Sequence, residues 1–282
     1  MKADEVEQLE YRLLLEAIFS RFGYDFREYS EASFLRRLRA LIEKMGLASL
    51  SLLQHRILHQ PEEFASVLGG LTVSTSEMFR DPPVFSALRT QVCPVLRTYP
   101  SLNIWHAGCS TGEEVFSLAI LLHEEGLLDR ATIYATDINK GTLQQAKRGI
   151  FRTEQMRQFT ENYQRAGGKR SFSEYYHASG GKAAVDPELI RRVVFSEHNL
   201  VTDGSFCESH LILCRNVLIY FQRGLQERVL RLLSNSLRSG GYLCLGSKET
   251  LQLSTLRATY CDEDAACKIY RKAPSASASR VG

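Results

Sequence analysis

The stretch that decides the fold is residues 102–139, LNIWHAGCSTGEEVFSLAILLHEEGLLDRATIYATDIN. Leu102–Ala107 is a short apolar run with the length and composition of a buried strand. A glycine-bearing turn follows, from Gly108 to Gly112. Val115, Phe116, Leu118, Ala119, Leu121 and Leu122 then mark an amphipathic helix, and a second apolar run from Ala131 ends on Asp137. Strand, glycine loop, helix, strand and acid form the first half of a nucleotide-binding α/β unit.

The acid lies about 20 residues beyond the loop, where such folds set a carboxylate on a ribose hydroxyl pair. The loop differs from the dinucleotide fingerprint: its glycines are spaced Gly-x-x-x-Gly, and Glu113 and Glu114 follow directly. Two carboxylates at a helix N-terminus repel the pyrophosphate that this end attracts. They favour a ligand with a ribose, no phosphate and positive charge, and S-adenosylmethionine answers that description. The plainer reading is that both glutamates only complement the dipole of the first turn.

Residues 1–88 carry helical periodicity and a linker. Leu9, Leu13, Ile18 and Phe22 mark a first helix ending near Gly23, and Ser33 to Met45 a second, stopped by Gly46. A third spans residues 47–58, and Pro61 opens a fourth that ends near Gly69-Gly70. The second helix carries Arg36, Arg37, Arg39 and Lys44, either a solvated face or a docking surface for an acidic partner. The linker TVSTSEMFRDPPVF, residues 72–85, is hydroxyl-rich before Arg80; it suits a polar ligand, or is a connector with Arg80 paired to Asp81 in solvent.

Beyond Asp137 a short helix covers Gly141 to Lys147. Residues 151–192 break the alternation and read as an inserted excursion, helix first with antiparallel strand after it. Alternation resumes with VVFSEHNL, a strand ending in Asn199, then residues 211–214 ending in Arg215-Asn216 ahead of Tyr220. A helix from about Gln222 is stopped by Gly240-Gly241, a strand covers Tyr242 to Leu245, and a strand pair flanks the acidic turn Asp262-Glu263-Asp264. The Ser/Ala-rich tail, 273–282, reads as disordered. The strand ends from Gly108 to Asn216 share the carboxyl edge of the sheet, where ligands bind in open α/β folds.

A net charge of +3 gives no electrostatic case for nucleic acid. The chain holds no apolar run of the ~20 residues a membrane span needs. Its seven cysteines are an odd number without a Cys-x-x-Cys pair, which argues against a disulfide framework or zinc site and for a reducing cytoplasm. No metal is expected.

The motifs LTVSTSEMFRDPPVF, GCSTGEE, ATDIN, HNL, LCRNVLIYF and GGYLCLGSKE, in that order, resemble the CheR-type chemotaxis receptor protein-glutamate O-methyltransferases. The resemblance covers nearly the whole chain except the tail. It implies an α/β fold: a Rossmann-like S-adenosylmethionine-dependent methyltransferase domain (89–272), an all-helical N-terminal domain and a small inserted β-subdomain (151–192). The implied reaction methylates glutamate side chains on a chemoreceptor's cytoplasmic helices and leaves S-adenosylhomocysteine. The family's cofactor contacts fall on Ser74, Ser76, Arg80, Glu114, Asp137, Asn199, Leu200, Arg215 and Asn216, with the Gly108–Gly112 loop. Arg80 and Tyr220 take the positions nearest the transferred methyl. Val73-Ser74-Thr75-Ser76 departs from a usual Thr-Asn-x-Thr, and Gly246-Ser247-Lys248-Glu249 from Gly-His-Ser-Glu. Arg36, Arg37, Arg39 and Lys44 become candidates for docking the receptor, and the insertion a candidate seat for a receptor C-terminal peptide.

A glutamate is ionised at neutral pH, so methyl transfer to it requires no general base. It requires alignment of oxygen, methyl and sulfur, and partial removal of water. The competing readings are a methyltransferase for another substrate, an S-adenosylmethionine-binding regulatory or scaffold module and, least, an NAD-dependent enzyme.

Overall fold

The computed structural model describes residues 3–73 and 75–274. The N-terminal part is four helices, α1 (Ala3–Phe22), α2 (Glu31–Lys44), α3 (Leu50–His59) and α4 (Phe64–Leu71), the last led in by a 3-10 turn at Pro61–Glu63. Their core is Leu14, Ile18, Phe34, Leu38, Leu53, Ile57, Val67 and neighbours. The buried face of α1 is not the expected one. Leu9 and Leu13 are 39% and 51% exposed, while Tyr11, Leu14, Leu15 and Ile18 are buried. Spaced i, i+3, i+4 and i+7, those four make the stripe that covers α3. α4 ends beside Gly69-Gly70 as read, at Leu71, which is buried with Leu68.

Two short helices, α5 (Pro82–Ala87) and α6 (Cys93–Leu96), joined through a wide turn at Leu88–Val92, lead into the second unit. Its core elements are β1 (Leu102–Ala107), α7 (Glu113–Glu124), β2 (Ala131–Asp137) and α8 (Lys140–Arg148). The insertion comprises β3 (Ile150–Arg152), α9 (Thr153–Arg165), β4 (Tyr176–Ser179) and β5 (Lys182–Val185). Then come α10 (Pro187–Ile190), β6 (Val193–Glu197), β7 (Ser209–Cys214), α11 (Arg223–Asn235), β8 (Leu237–Leu245), β9 (Tyr260–Asp264) and β10 (Ile269–Lys272).

Among the described residues one sheet runs β6-β2-β1-β7-β8-β10-β9. The first five strands are parallel, and β10 and β9 are antiparallel additions. β1 lies between β2 and β7, so the direction of winding reverses there and opens a crevice beyond the strand ends. Trp105 on β1 is fully buried and donates its indole N–H to Thr136 Oγ1 at 2.9 Å.

Several elements differ from their sequence reading. A short strand, β3, precedes the helix of the insertion, and the order β3-β5-β4 makes a small antiparallel sheet of its own. α7 is buried all round rather than amphipathic, from Glu113 to Leu122, because α10 and the sheet cover it. β8 starts at Leu237 and runs through Gly240-Gly241; the pair falls where the register with β7 slips between Ser209 and Leu211, a bulge instead of a helix stop. Asp262, Glu263 and Asp264 lie in β9, and the reversal comes after them; charge on an edge strand blunts pairing with other chains. Asn199 lies just past the end of β6, not within it. Of the tail, residues 275–282 are outside the described residues.

Candidate functional site

The carboxyl edge of the sheet and the helical domain enclose one pocket. Gly108, Cys109 and Ser110 come from the turn after β1, Asp137 and Ile138 from the end of β2, and His198 to Val201 from the loop after β6. Arg215 to Val217 and Ile219 to Phe221 come from the loop after β7, and Thr72, Val73, Thr75, Ser76 and Arg80 from the connector. Phe26, Tyr29 and Arg37 reach in from the helical domain.

The turn after β1 passes over the site because Gly108 (φ 80°) bends the chain where a Cβ would stand 2.5 Å from Val217 Cγ2. Asp137 is held by this turn: Ser110 N–H donates to Oδ2 at 2.9 Å and Asn139 N–H to Oδ1 at 3.0 Å. Burial pushes its carboxyl above the ordinary range, against the backbone N–H groups that hold it down.

The two glutamates part company. Glu113 turns away from the pocket, accepts from Thr111 Oγ1 at 2.6 Å and from the Ser76 hydroxyl, and is raised by burial. Glu114 faces the pocket, with Oε1 3.0 Å from His106 Nε2 and Oε2 on an Arg215 guanidinium N–H. Despite its burial, Arg215 and His106 hold it below the usual carboxylate range. Arg215 also donates to Asp81 Oδ2 at 2.6 Å and to the Arg80 carbonyl at 3.3 Å. Asp81 therefore pairs with Arg215 and not with Arg80, which lines the pocket.

The loop after β7 is pinned by a buried acid. Glu249 accepts from the backbone N–H groups of Gly246 (2.6 Å), Val217 (2.8 Å), Asn216 (3.0 Å) and Ile219 (3.3 Å). A Cβ at Gly246 would sit 2.7 Å from Glu249 Oε2, so only glycine lets the acid close on this loop. From the other side Ser30 N–H donates to the Tyr220 carbonyl at 2.8 Å and Gln222 N–H to the Glu28 carbonyl at 2.9 Å. This two-sided backbone pairing fastens the Tyr220 loop to the helical domain. Burial raises the Tyr220 phenol, which keeps it a hydroxyl donor at neutral pH.

Residues 74–266 match the family model described as CheR methyltransferase, SAM binding domain, and residues 9–72 match CheR methyltransferase, all-alpha domain. The chain belongs to the CheR methyltransferase family. It is 48% identical over 254 residues to a Pseudomonas putida protein named "Putative methyltransferase Cher3", covering 90% of this chain and 93% of that one. The chemotaxis protein methyltransferase 1 of Vibrio cholerae is 30% identical over 269 residues, covering 89% and 92%. The chemotaxis protein methyltransferase of Listeria innocua is 29% identical over 247 residues, covering 86% and 90%.

For a CheR-family chain S-adenosylmethionine is the methyl donor, and the pocket's chemistry fits it. An acid beside the glycine turn, Asp137, suits a diol, and the shielded anion Glu114 suits an ammonium. Ser110 Oγ and His106 Nδ1 are buried without a protein partner, as expected of polar groups that wait for a ligand. Of the residues singled out in the sequence, Ser76, Arg80, Gly108, Glu114, Asp137, Asn199, Leu200, Arg215, Asn216 and Tyr220 line this one pocket. Gly112 caps α7 instead, and Ser74 lies outside the described residues. Arg36, Arg39 and Lys44 are exposed, Arg39 being ion-paired to Glu7. Arg37 is not part of that outer face; it lines the pocket. Sequence reasoning missed Phe26, Tyr29, His106, His198 and Glu249. Only Glu249 carried a signal, standing in the loop after a core strand; the others depend on which domain face closes the cleft.

Proposed function

We propose that this protein transfers the methyl group of S-adenosylmethionine to glutamate side chains of a chemoreceptor, giving glutamyl methyl esters and S-adenosylhomocysteine. One observation carries the reading: the cavity gathers groups suited to an adenosyl donor, Ser110, Glu114, Asp137 and Asn216 among them, at consecutive edges of the sheet. An acceptor that is already ionised suits such a site, since it needs no base. The names of the chemotaxis relatives support the receptor as substrate.

In this reading Asp137 takes the ribose hydroxyls and Glu114 the amino group, with Arg215 beneath holding Glu114 ionised and in place. Ser76, Asn199, Leu200 and Asn216 complete the cofactor's surroundings, and the Gly108–Gly112 turn lets it approach the backbone. The bound donor supplies an electrophilic methyl on a sulfonium. Arg80 positions the amino-acid end, and the Tyr220 hydroxyl donates a hydrogen bond beside the reacting centre. Residues 1–88 dock the receptor helix through Arg36, Arg39 and Lys44, and residues 89–272 carry the chemistry.

Incubation with tritiated S-adenosylmethionine and a receptor cytoplasmic fragment tests this. Base-labile radioactive methanol is expected; base-stable label would indicate N-methylation, and no transfer with tight cofactor binding would indicate a regulatory module. Turnover near wild type in both Arg80→Ala and Tyr220→Phe would defeat the assigned roles.

A further inference from the structure

Tyr29, in the loop between α1 and α2, brings an open polar group from the helical domain to the pocket. Its main chain is fixed: the N–H donates to the Phe26 carbonyl at 3.1 Å, and the carbonyl accepts from Gln222 Nε2 at 3.1 Å. The ring is fixed too, edge-on to Phe221, Phe26 and Phe34 with centres 4.9, 4.9 and 5.7 Å away. Packing on three sides sets where the hydroxyl stands. The hydroxyls of Tyr24, Tyr163 and Tyr175 each meet a carboxylate, of Glu197 for the first and Glu124 for the other two. The Tyr29 hydroxyl has no hydrogen-bond partner among the described residues. It stands on the Asp137 side of the cleft: Ile138, the next residue, packs against the same apolar core as Tyr29, and the Asp137 carboxylate acts on the phenol. Burial raises that phenol, Arg37 opposes the rise and Asp137 adds to it, so at neutral pH the group is a hydroxyl with a proton to give.

A diol on a carboxylate is only half satisfied. The ribose hydroxyls give their protons to the acid, which can only accept, and their own oxygens are left with lone pairs to offer. A donor is wanted on the far side of the ribose from the acid, and a neutral phenol within the field of Asp137 is one. We propose that the Tyr29 hydroxyl donates to a ribose hydroxyl oxygen of S-adenosylmethionine, so that the helical domain holds the cofactor directly. This rests on the reading of Asp137 as the ribose acid and not on which acceptor takes the methyl. Tyr29 forms an antiparallel bridge with Phe221, and Ser30 N–H donates to the Tyr220 carbonyl at 2.8 Å. The bond to ribose therefore joins three parts, the cofactor, the helical domain and the Tyr220 loop. Filling the cleft tightens the domain seam at the same time.

The test is calorimetric binding of S-adenosylhomocysteine and its 2′-deoxy and 3′-deoxy analogues to the full chain. Tyr29→Phe keeps the ring and its packing, and is expected to lower affinity for S-adenosylhomocysteine about five- to tenfold. For the one deoxy analogue that lacks the partner hydroxyl, wild type and Tyr29→Phe should agree within about twofold, while the other analogue keeps the loss. Tyr24→Phe breaks a bond across the same seam but outside the pocket, to Glu197 Oε1 at 3.1 Å, and should change all three affinities by one common factor. The slowing of Ser30 amide exchange by S-adenosylhomocysteine should be smaller in Tyr29→Phe than in wild type; equal slowing overturns the link to the seam. The proposal falls if Tyr29→Phe binds S-adenosylhomocysteine as wild type does, or if it weakens all three ligands alike, as Tyr24→Phe does. If wild type binds both deoxy analogues as tightly as the parent, the ribose role of Asp137 falls as well; if wild type discriminates and Tyr29→Phe is unaffected, only the role of Tyr29 falls.

Discussion

With Asp137 on the ribose, as proposed, cofactor binding depends on pH. The form that accepts two hydroxyls is ionised, and burial raises this carboxyl above its ordinary value. That form is therefore complete above the raised value and is lost as pH falls through it. S-Adenosylhomocysteine affinity should decline on acidification at a higher pH than the ~3.9 of a free aspartate would give. Asp137→Asn should lower affinity about ten- to hundredfold at neutral pH and flatten the pH profile, both measurable by calorimetry. Glu114 should not titrate in that window, because Arg215 and His106 hold it below the usual range. At Gly108 the issue is space and conformation together. Gly108→Ala puts a methyl 2.5 Å from Val217 Cγ2 at a φ of 80°, and should cost about 1–3 kcal/mol in urea unfolding.

At the scale of elements, the insertion is fastened by a buried charge network at the C-terminal end of α7. Glu124 takes the hydroxyls of Tyr163 and Tyr175, the Lys169 N–H and the Arg89 guanidinium, while Arg89 Nε donates to the Ala166 carbonyl. Glu125 binds Arg89, Arg97 and Lys169. The network joins α9 and the segment that runs from it to β4 to the Leu88–Val92 turn and the end of α7, a placement that an apolar interface alone would not specify. Glu124→Ala leaves Arg89 buried without one of its two acids and the Tyr163 and Tyr175 hydroxyls without their acceptor, and should cost about 3–5 kcal/mol. Limited proteolysis should then cut within residues 166–182 well before the core sheet; equal resistance to wild type would show that apolar packing suffices.

Over the whole molecule, the active cleft belongs to neither unit alone. Tyr29 stands against Phe221 with ring centres 4.9 Å apart, and the Glu28–Ser30 segment pairs with Tyr220–Gln222. Asn139 Nδ2 donates to Thr72 Oγ1 at 2.9 Å across the same boundary. Opening the cleft must therefore break two backbone bonds at one end of the seam and a side-chain bond at the other. Hydrogen exchange should show the Ser30 and Gln222 amides slowing together on S-adenosylhomocysteine binding; protection confined to the sheet edge would show that the helical domain does not close on the ligand.

The local order of the chain settled much of this. Leu102–Ala107, the glycine turn and Asp137 announce a nucleotide unit because strand length, turn composition and the position of an acid are short-range properties. The breaks at Gly23 and Gly46 are legible for the same reason. Tertiary structure decided what depends on which neighbour covers a face. Leu9 and Leu13 look like core but point outward, Gly240-Gly241 becomes a bulge because β7 slips beside it, and Glu113 turns away from the site that its neighbour Glu114 lines. Arg37 reads as one more surface charge in a basic helix. Only the packing of that helix against the Tyr220 loop turns it inward, since the side of a helix that meets another domain is set by contacts far apart in sequence.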